Sequence, residues 1–218
     1  MIGRLLAPFA AALGLLFAGA AAAQSSYTLL NPPQPTEGGG KVEVIEFFWY
    51  GCPHCYHLEP AVNAWLKALP KDVVFKRVPA VPSESWANMA SIYYTLEAMG
   101  MLDKYHDKVF DAVHKDRLNL GNKKVRDEWL AKQGIDVAKY NDVEKSFAVV
   151  TKVQRAKQMT ANYKIDSVPQ IVVNGKYVVS SETAGGPEKI FAAVDQAVAQ
   201  ARREKTASSA PAVELARR

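Results

Sequence analysis

The sequence predicts an α/β fold interrupted by an inserted all-helical domain. Three observations carry this reading. An apolar strand runs directly into a helix and a second strand between residues 42 and 79; residues 83–163 show helical periodicity and no convincing strand; and two β-branched runs joined by Asn174-Gly175 precede a last helix. The element order is therefore β, α, β, a helical block, then β, β, α.

Each element has its own signal. Residues 25–41 form a lead-in broken by Pro32, Pro33, Pro35 and the Gly38-Gly39-Gly40 run, although residues 27–30 suit an edge strand. Val42-Glu43-Val44-Ile45-Glu46-Phe47-Phe48-Trp49 is apolar on nearly both faces, as a strand covered on each side requires, and Glu46 is its anomaly. After Gly51, which suits a tight turn, Leu58, Val62, Trp65, Leu66 and Leu69 share a helical face that ends at Pro70. Pro60 inside that helix removes one backbone hydrogen bond and predicts a kink. A strand over 73–78 stops at Pro79. In the helical block, Met89, Ile92, Tyr93 and Leu96, then Val125, Trp129 and Leu130, then Val143, Phe147 and Val150 form stripes, with breaks near Gly100, at 119–122 and at Gly134. Asn174-Gly175 is the strongest short hairpin signal, and Gly185-Gly186-Pro187 opens a last helix through about Arg203. The expected organisation is a sheet domain in two parts, 24–82 and 164–203, around a helical insertion at 83–163. Residues 204–218 are expected to be a disordered tail.

The first 23 residues place Arg4 before an apolar run that closes on Ala21-Ala22-Ala23, the layout of a secretory signal peptide cleaved after Ala23. The competing reading is an uncleaved anchor, since the run approaches the roughly 20 residues that span a bilayer. The formal net charge is +5, with basic and acidic residues interspersed, so nucleic acid is excluded as an expected partner. Exported chains use cysteines as well-separated staples. This chain has only Cys52 and Cys55. A bridge closing so short a loop removes little entropy from the unfolded chain, so the pair reads as a redox switch.

Disulfide exchange needs an attacking thiolate and a second thiol close enough to expel the mixed-disulfide partner. Strand, turn and helix put Cys52 at a helix N-terminus, where N–H groups and the helix dipole lower a thiol pKa. Cys55, one turn in, is expected to be buried and to act as the resolving thiol. His54 between them is expected to stabilise the thiolate, with Pro53 completing the motif. The rival chemistry is a metal site of Cys52, Cys55 and His57, but no second cysteine pair supplies a full ligand set, and His106 and His114 read as surface residues. No metal and no cofactor beyond the cysteine pair are expected.

Phe47-Phe48-Trp49-Tyr50-Gly51-Cys52-Pro53-His54-Cys55, with Val168-Pro169 and Val173-Asn174-Gly175-Lys176-Tyr177 downstream, closely resembles the DsbA family of bacterial periplasmic disulfide oxidases. The resemblance runs through the mature chain to about Arg203. It implies a thioredoxin-like fold, a mixed central sheet flanked by helices with a helical domain inserted between its halves. It also implies a cis Val168-Pro169 bond that packs against the cysteines, with Val168 offering its backbone to an extended substrate. Glu46 matches a buried acidic residue that helps move protons to and from the inner cysteine; an ion pair with Lys76 or Arg77 is the structural alternative. The implied function is donation of the Cys52–Cys55 disulfide to reduced, unfolded exported proteins by a monomeric periplasmic enzyme, followed by reoxidation by a membrane, quinone-linked partner of the DsbB type. Other readings are a disulfide isomerase or reductase, and a non-catalytic metallochaperone or holdase. Arg77 in place of a family lysine, Gln170 after the proline and the basic tail depart from the pattern.

Overall fold

The computed structural model describes residues 25–209. The expected signal at 1–23 and the end of the expected tail, 210–218, lie outside the described residues. The elements are β1 (Thr28–Leu29), β2 (Val42–Phe48), α1 (Pro53–Lys67), β3 (Val73–Pro79), α2 (Glu84–Ala98), α3 (Leu102–His114), α4 (Lys123–Lys132), α5 (Val137–Glu144), α6 (Phe147–Asn162), β4 (Gln170–Val173), β5 (Tyr177–Val179), α7 (Ser181–Ala184) and, after a 3-10 turn at Pro187–Lys189, α8 (Ile190–Ser209). The five strands form one mixed sheet in the order β1-β5-β4-β2-β3. β2 and β3 are parallel because α1 crosses between them, and the remaining pairs are antiparallel.

β2 is buried at all seven positions, as its two-sided apolar pattern requires. Its alternation sorts the core into two layers. Val42 and Val44 pack with Leu58 and Val62 of α1 and with Ile190, Val194 and Ala197 of α8. Ile45 and Phe47 belong to the core shared with the helical insertion, where the Phe47 ring meets Tyr163 and the Phe48 ring meets Phe110. Glu46 continues the row of Val42 and Val44, and so lies under α1. That placement positions the site.

α1 continues through Pro60, and β1 is the short edge strand expected from the lead-in. The last helix is the correction. It extends to Ser209, so residues 204–209 are helical and the expected disordered tail is too long by those positions. The reason is tertiary. Glu204 pairs with Lys176 at 2.7 Å, and Lys205 donates to the carbonyls of Gly40 and Lys41, so the last turns lie on the sheet domain.

The hairpin turn has Asn174 at φ 52° and Gly175 at φ 65°, the left-handed pair that matches strand twist. Its tip also meets the lead-in. Gln34 N–H donates to the Gly175 carbonyl at 2.8 Å, and a Cβ on Gly175 would fall 2.1 Å from the Gln34 carbonyl oxygen. Gly175→Ala is therefore expected to cost about 1–3 kcal/mol through combined strain and overlap. Thermal unfolding measures it, and an unchanged melting temperature would mean that the lead-in simply yields.

Candidate active site

Cys52 is the N-cap of α1, with Pro53 as the first helical residue, and its sulfur accepts the Cys55 N–H at 3.4 Å. Pro is suited to that first position because it has no N–H to leave unsatisfied. The cap that serine or aspartate supplies in most helices is here the sulfur of Cys52. Both cysteines are free and buried. Pro53 and His54 are exposed.

The two sulfurs have opposite electrostatics. The Cys52 thiol is pulled from an ordinary 9.0 to about 6, first by the hydrogen bond from the Cys55 side chain and then by the backbone N–H groups of Cys55 and His54 and the charge of His54, against a desolvation cost that raises it. Burial, the hydrogen bond between the sulfurs and the Cys52 charge push Cys55 far up. One proton lost from the pair thus comes from Cys52. Thiolate absorbance of the reduced protein is expected to titrate with a midpoint near 6 that disappears in Cys52→Ser; a midpoint at the roughly 8.5 of free cysteine would contradict this geometry.

The Val168-Pro169 peptide is cis, and the Cys52 thiol donates to the Val168 carbonyl at 3.4 Å. The two segments, far apart in sequence, therefore meet at the Cys52 sulfur. Gln170 braces the approach. Its amide donates to Asp166 at 3.0 Å and to Ser167 Oγ at 3.1 Å, fixing the loop before the proline.

Beneath Cys55 lies a buried charge cluster. Glu46 is fully buried and opposes Arg77 in the β2–β3 register. Arg77 Nε donates to Glu46 Oε2 at 3.2 Å, and its terminal nitrogen to Glu59 Oε2 at 2.9 Å. Lys76, the other candidate partner of Glu46, pairs with Glu43 instead. Glu46 Oε1 has no partner among the described residues. Burial, then repulsion from Glu59, raise the Glu46 carboxyl from 4.5 to about 8, with Arg77 opposing. A carboxyl that holds its proton well above the ordinary glutamate range therefore sits within electrostatic reach of the Cys55 sulfur.

Sequence reasoning missed the far side of this cluster. His106, read as a surface residue, is buried; its imidazole touches Tyr50 and Glu59, and His114 donates to the Tyr50 carbonyl at 2.8 Å. The available signal was spacing: His106, Phe110 and His114 recur every fourth residue on α3, and Phe110 is core. Glu59 likewise follows Cys55 by one turn. Trp49 stacks on Trp86 of α2 with ring centroids 4.0 Å apart, another tie between the turn and the insertion. The rival ligand set of Cys52, Cys55 and His57 does not converge. Among the described residues, the one group whose side chains could share an ion is Glu59, His106 and Asp107.

A dithiol at a helix N-terminus beside a cis-proline, on a mixed sheet interrupted by helices, defines a thioredoxin-like thiol–disulfide oxidoreductase. Comparisons give its family. The DSBA-like thioredoxin domain matches residues 71–191. The thiol:disulfide interchange protein DsbA of Bordetella parapertussis is 44% identical over 206 residues, covering 92% of this chain and 97% of that protein, a span that cannot leave out the cysteine pair. The protein of the same name from Azotobacter vinelandii is 43% identical over 176 residues, 81% of this chain and 82% of that one. The crystal structure of Pseudomonas aeruginosa DsbA superposes with a TM-score of 0.78 at 37% identity, covering 84% of this chain and 95% of that chain. The chain belongs to the DsbA family.

Proposed function

We propose that this protein oxidises pairs of thiols in reduced, exported polypeptides, with Cys52 as the sulfur they attack. One observation carries the direction of electron flow: the same contacts that lower the Cys52 thiol to about 6 act on its thiolate, which exists only in the reduced form. Stabilising the dithiol state makes the disulfide the stronger oxidant. Because the folded pKa is depressed, that stabilisation is complete above the ordinary thiol value and is lost as pH falls through about 6.

In the cycle, a substrate thiolate attacks Cys52 Sγ, the bond to Cys55 breaks, and Cys55 leaves with the electron pair. Cys55 is a poor thiolate in its buried position, and Glu46, protonated near neutrality, supplies the proton. A second substrate thiolate then attacks the substrate sulfur of the mixed disulfide and expels Cys52 as a stable thiolate. His54 contributes positive charge at Cys52. Val168 and Pro169 border that sulfur, and the Val168 peptide is what an extended substrate segment would align with. The export signal at 1–23 assigns the work to the periplasm, and a membrane-bound quinone-linked protein would reoxidise the pair.

The test is a redox titration against glutathione. An oxidase requires a potential well above thioredoxin's, about −270 mV. A value at or below that would refute donation and favour a reductase.

A further inference from the structure

Two histidines of the insertion hold the turn that carries Cys52. His106 Nδ1 lies 2.8 Å from the Tyr50 hydroxyl and Nε2 lies 3.3 Å from Glu59 Oε1, while His114 Nε2 donates to the Tyr50 carbonyl. Glu59 passes this contact to Arg77, which also holds Glu46. One guanidinium thus faces two buried carboxyls. Which of them is the anion decides where the spare proton resides.

One arrangement of the hydrogens satisfies every contact in the cluster with a neutral imidazole. An ionised Glu59 only accepts, so His106 Nε2 carries its hydrogen and Nδ1 accepts from the Tyr50 hydroxyl. Glu59 then has a donor on each oxygen, from His106 and from Arg77. Glu46 has one donor, and its second oxygen has none among the described residues. Negative charge settles where donors are most numerous.

We propose that His106 is a positioning residue for exchange at Cys55: by donating to Glu59 it keeps that carboxylate the anionic partner of Arg77 and leaves Glu46 as the carboxyl that holds the transferable proton. The inference rests on reading Glu46 as the proton donor to Cys55. When a substrate thiolate opens the disulfide, the electron pair of the broken bond goes to Cys55 Sγ, the Glu46 proton neutralises it, and the Glu46 carboxylate later regains a proton from solvent. The groups facing Glu46 are Arg77 from β3, Glu59 and Cys55 from α1, and Tyr93 from α2, with Tyr50 and His106 beyond Glu59. β4 places only Ile171 opposite it. Without the His106 donor, Glu59 Oε1 loses a hydrogen bond, Arg77 turns toward Glu46, and Glu46 gives up its proton at lower pH.

The test is the rate at which dithiothreitol opens the oxidised protein from about pH 5.5 to about pH 9, corrected for the reagent's own ionisation. Opening should slow on the alkaline side as Glu46 loses its proton. His106→Phe is expected to move that limb down by about one pH unit, a roughly tenfold shift in the proton equilibrium. His106→Gln, whose amide N–H can replace Nε2–H, should retain it, and His106→Phe should add no shift to Glu46→Gln. The proposal is overturned if His106→Phe leaves the limb in place while lowering the melting temperature, which would mark His106 as structural only, or if it shifts the limb equally in Glu46→Gln. Should Glu46→Gln itself leave the limb untouched, the proton-donor reading fails first. If Glu46→Gln removes the limb and His106→Phe does not move it, only the role of His106 falls.

Discussion

Replacing Cys52 with serine is expected to eliminate oxidation of a dithiol peptide, a loss of at least about 10³-fold to background exchange. Serine cannot form the bond that is donated. It can, however, do the structural part, because a serine oxygen is a better helix cap than sulfur and would accept the same Cys55 N–H. Stability should therefore change little while activity vanishes, which separates chemistry from folding. Cys55→Ser should behave differently: the Cys52 thiolate remains, still held by backbone N–H groups, but its mixed disulfides have no internal thiol to resolve them and should accumulate as trapped adducts. Mass spectrometry of the two variants after exposure to an oxidised peptide distinguishes them. Turnover by Cys52→Ser would assign the reaction to another group, and a holdase function would survive it.

Glu46→Gln is expected to stabilise the protein by on the order of 4 kcal/mol at pH 8, and hardly at all near pH 4. The sign follows from burial. The folded carboxyl titrates near 8 against an ordinary 4.5, so the native state is favoured below 4.5 and loses that advantage as pH rises through the window to 8. Glutamine is nearly isosteric, keeps an acceptor for Arg77 and carries no charge to desolvate. Arg77 retains Glu59 as its counter-ion at 2.9 Å. Urea unfolding of the reduced protein at several pH values measures the effect. If the gain is as large at pH 4 as at pH 8, it comes from packing and not from the proton. Slower disulfide opening in the more stable variant would show that the carboxyl is kept for its chemistry at the expense of stability.

Local signals revealed the frame of the site. Cys52 to Cys55 declare themselves by spacing, Asn174-Gly175 by turn chemistry, and Glu46 by being a charge in an otherwise apolar strand. For the residues that complete the cluster, local spacing marks a buried face but not its partners. His106 reaches Tyr50 across 56 positions and Glu59 across 47, and nothing in the helical pattern of α3 says that an imidazole rather than an apolar side chain meets the turn. The extent of α8 was misjudged for a related reason. Its last residues are small and polar, a composition that reads as tail, yet Glu204 and Lys205 find partners at the β4–β5 hairpin turn and on the lead-in that only the folded sheet provides. Gln170 looked like a departure from the family and is a brace.

The sulfur that caps α1 gives the reaction a second register. A thiolate is a full anion facing the Cys55 amide, whereas a sulfur sharing its electrons with a neighbour is a weak acceptor. Electron transfer at Cys52 therefore also tightens or loosens the first turn of a helix whose far end packs beneath the sheet. Exchange at Cys52 is therefore felt first in the hydrogen bond that caps α1, one amide away from the sulfur.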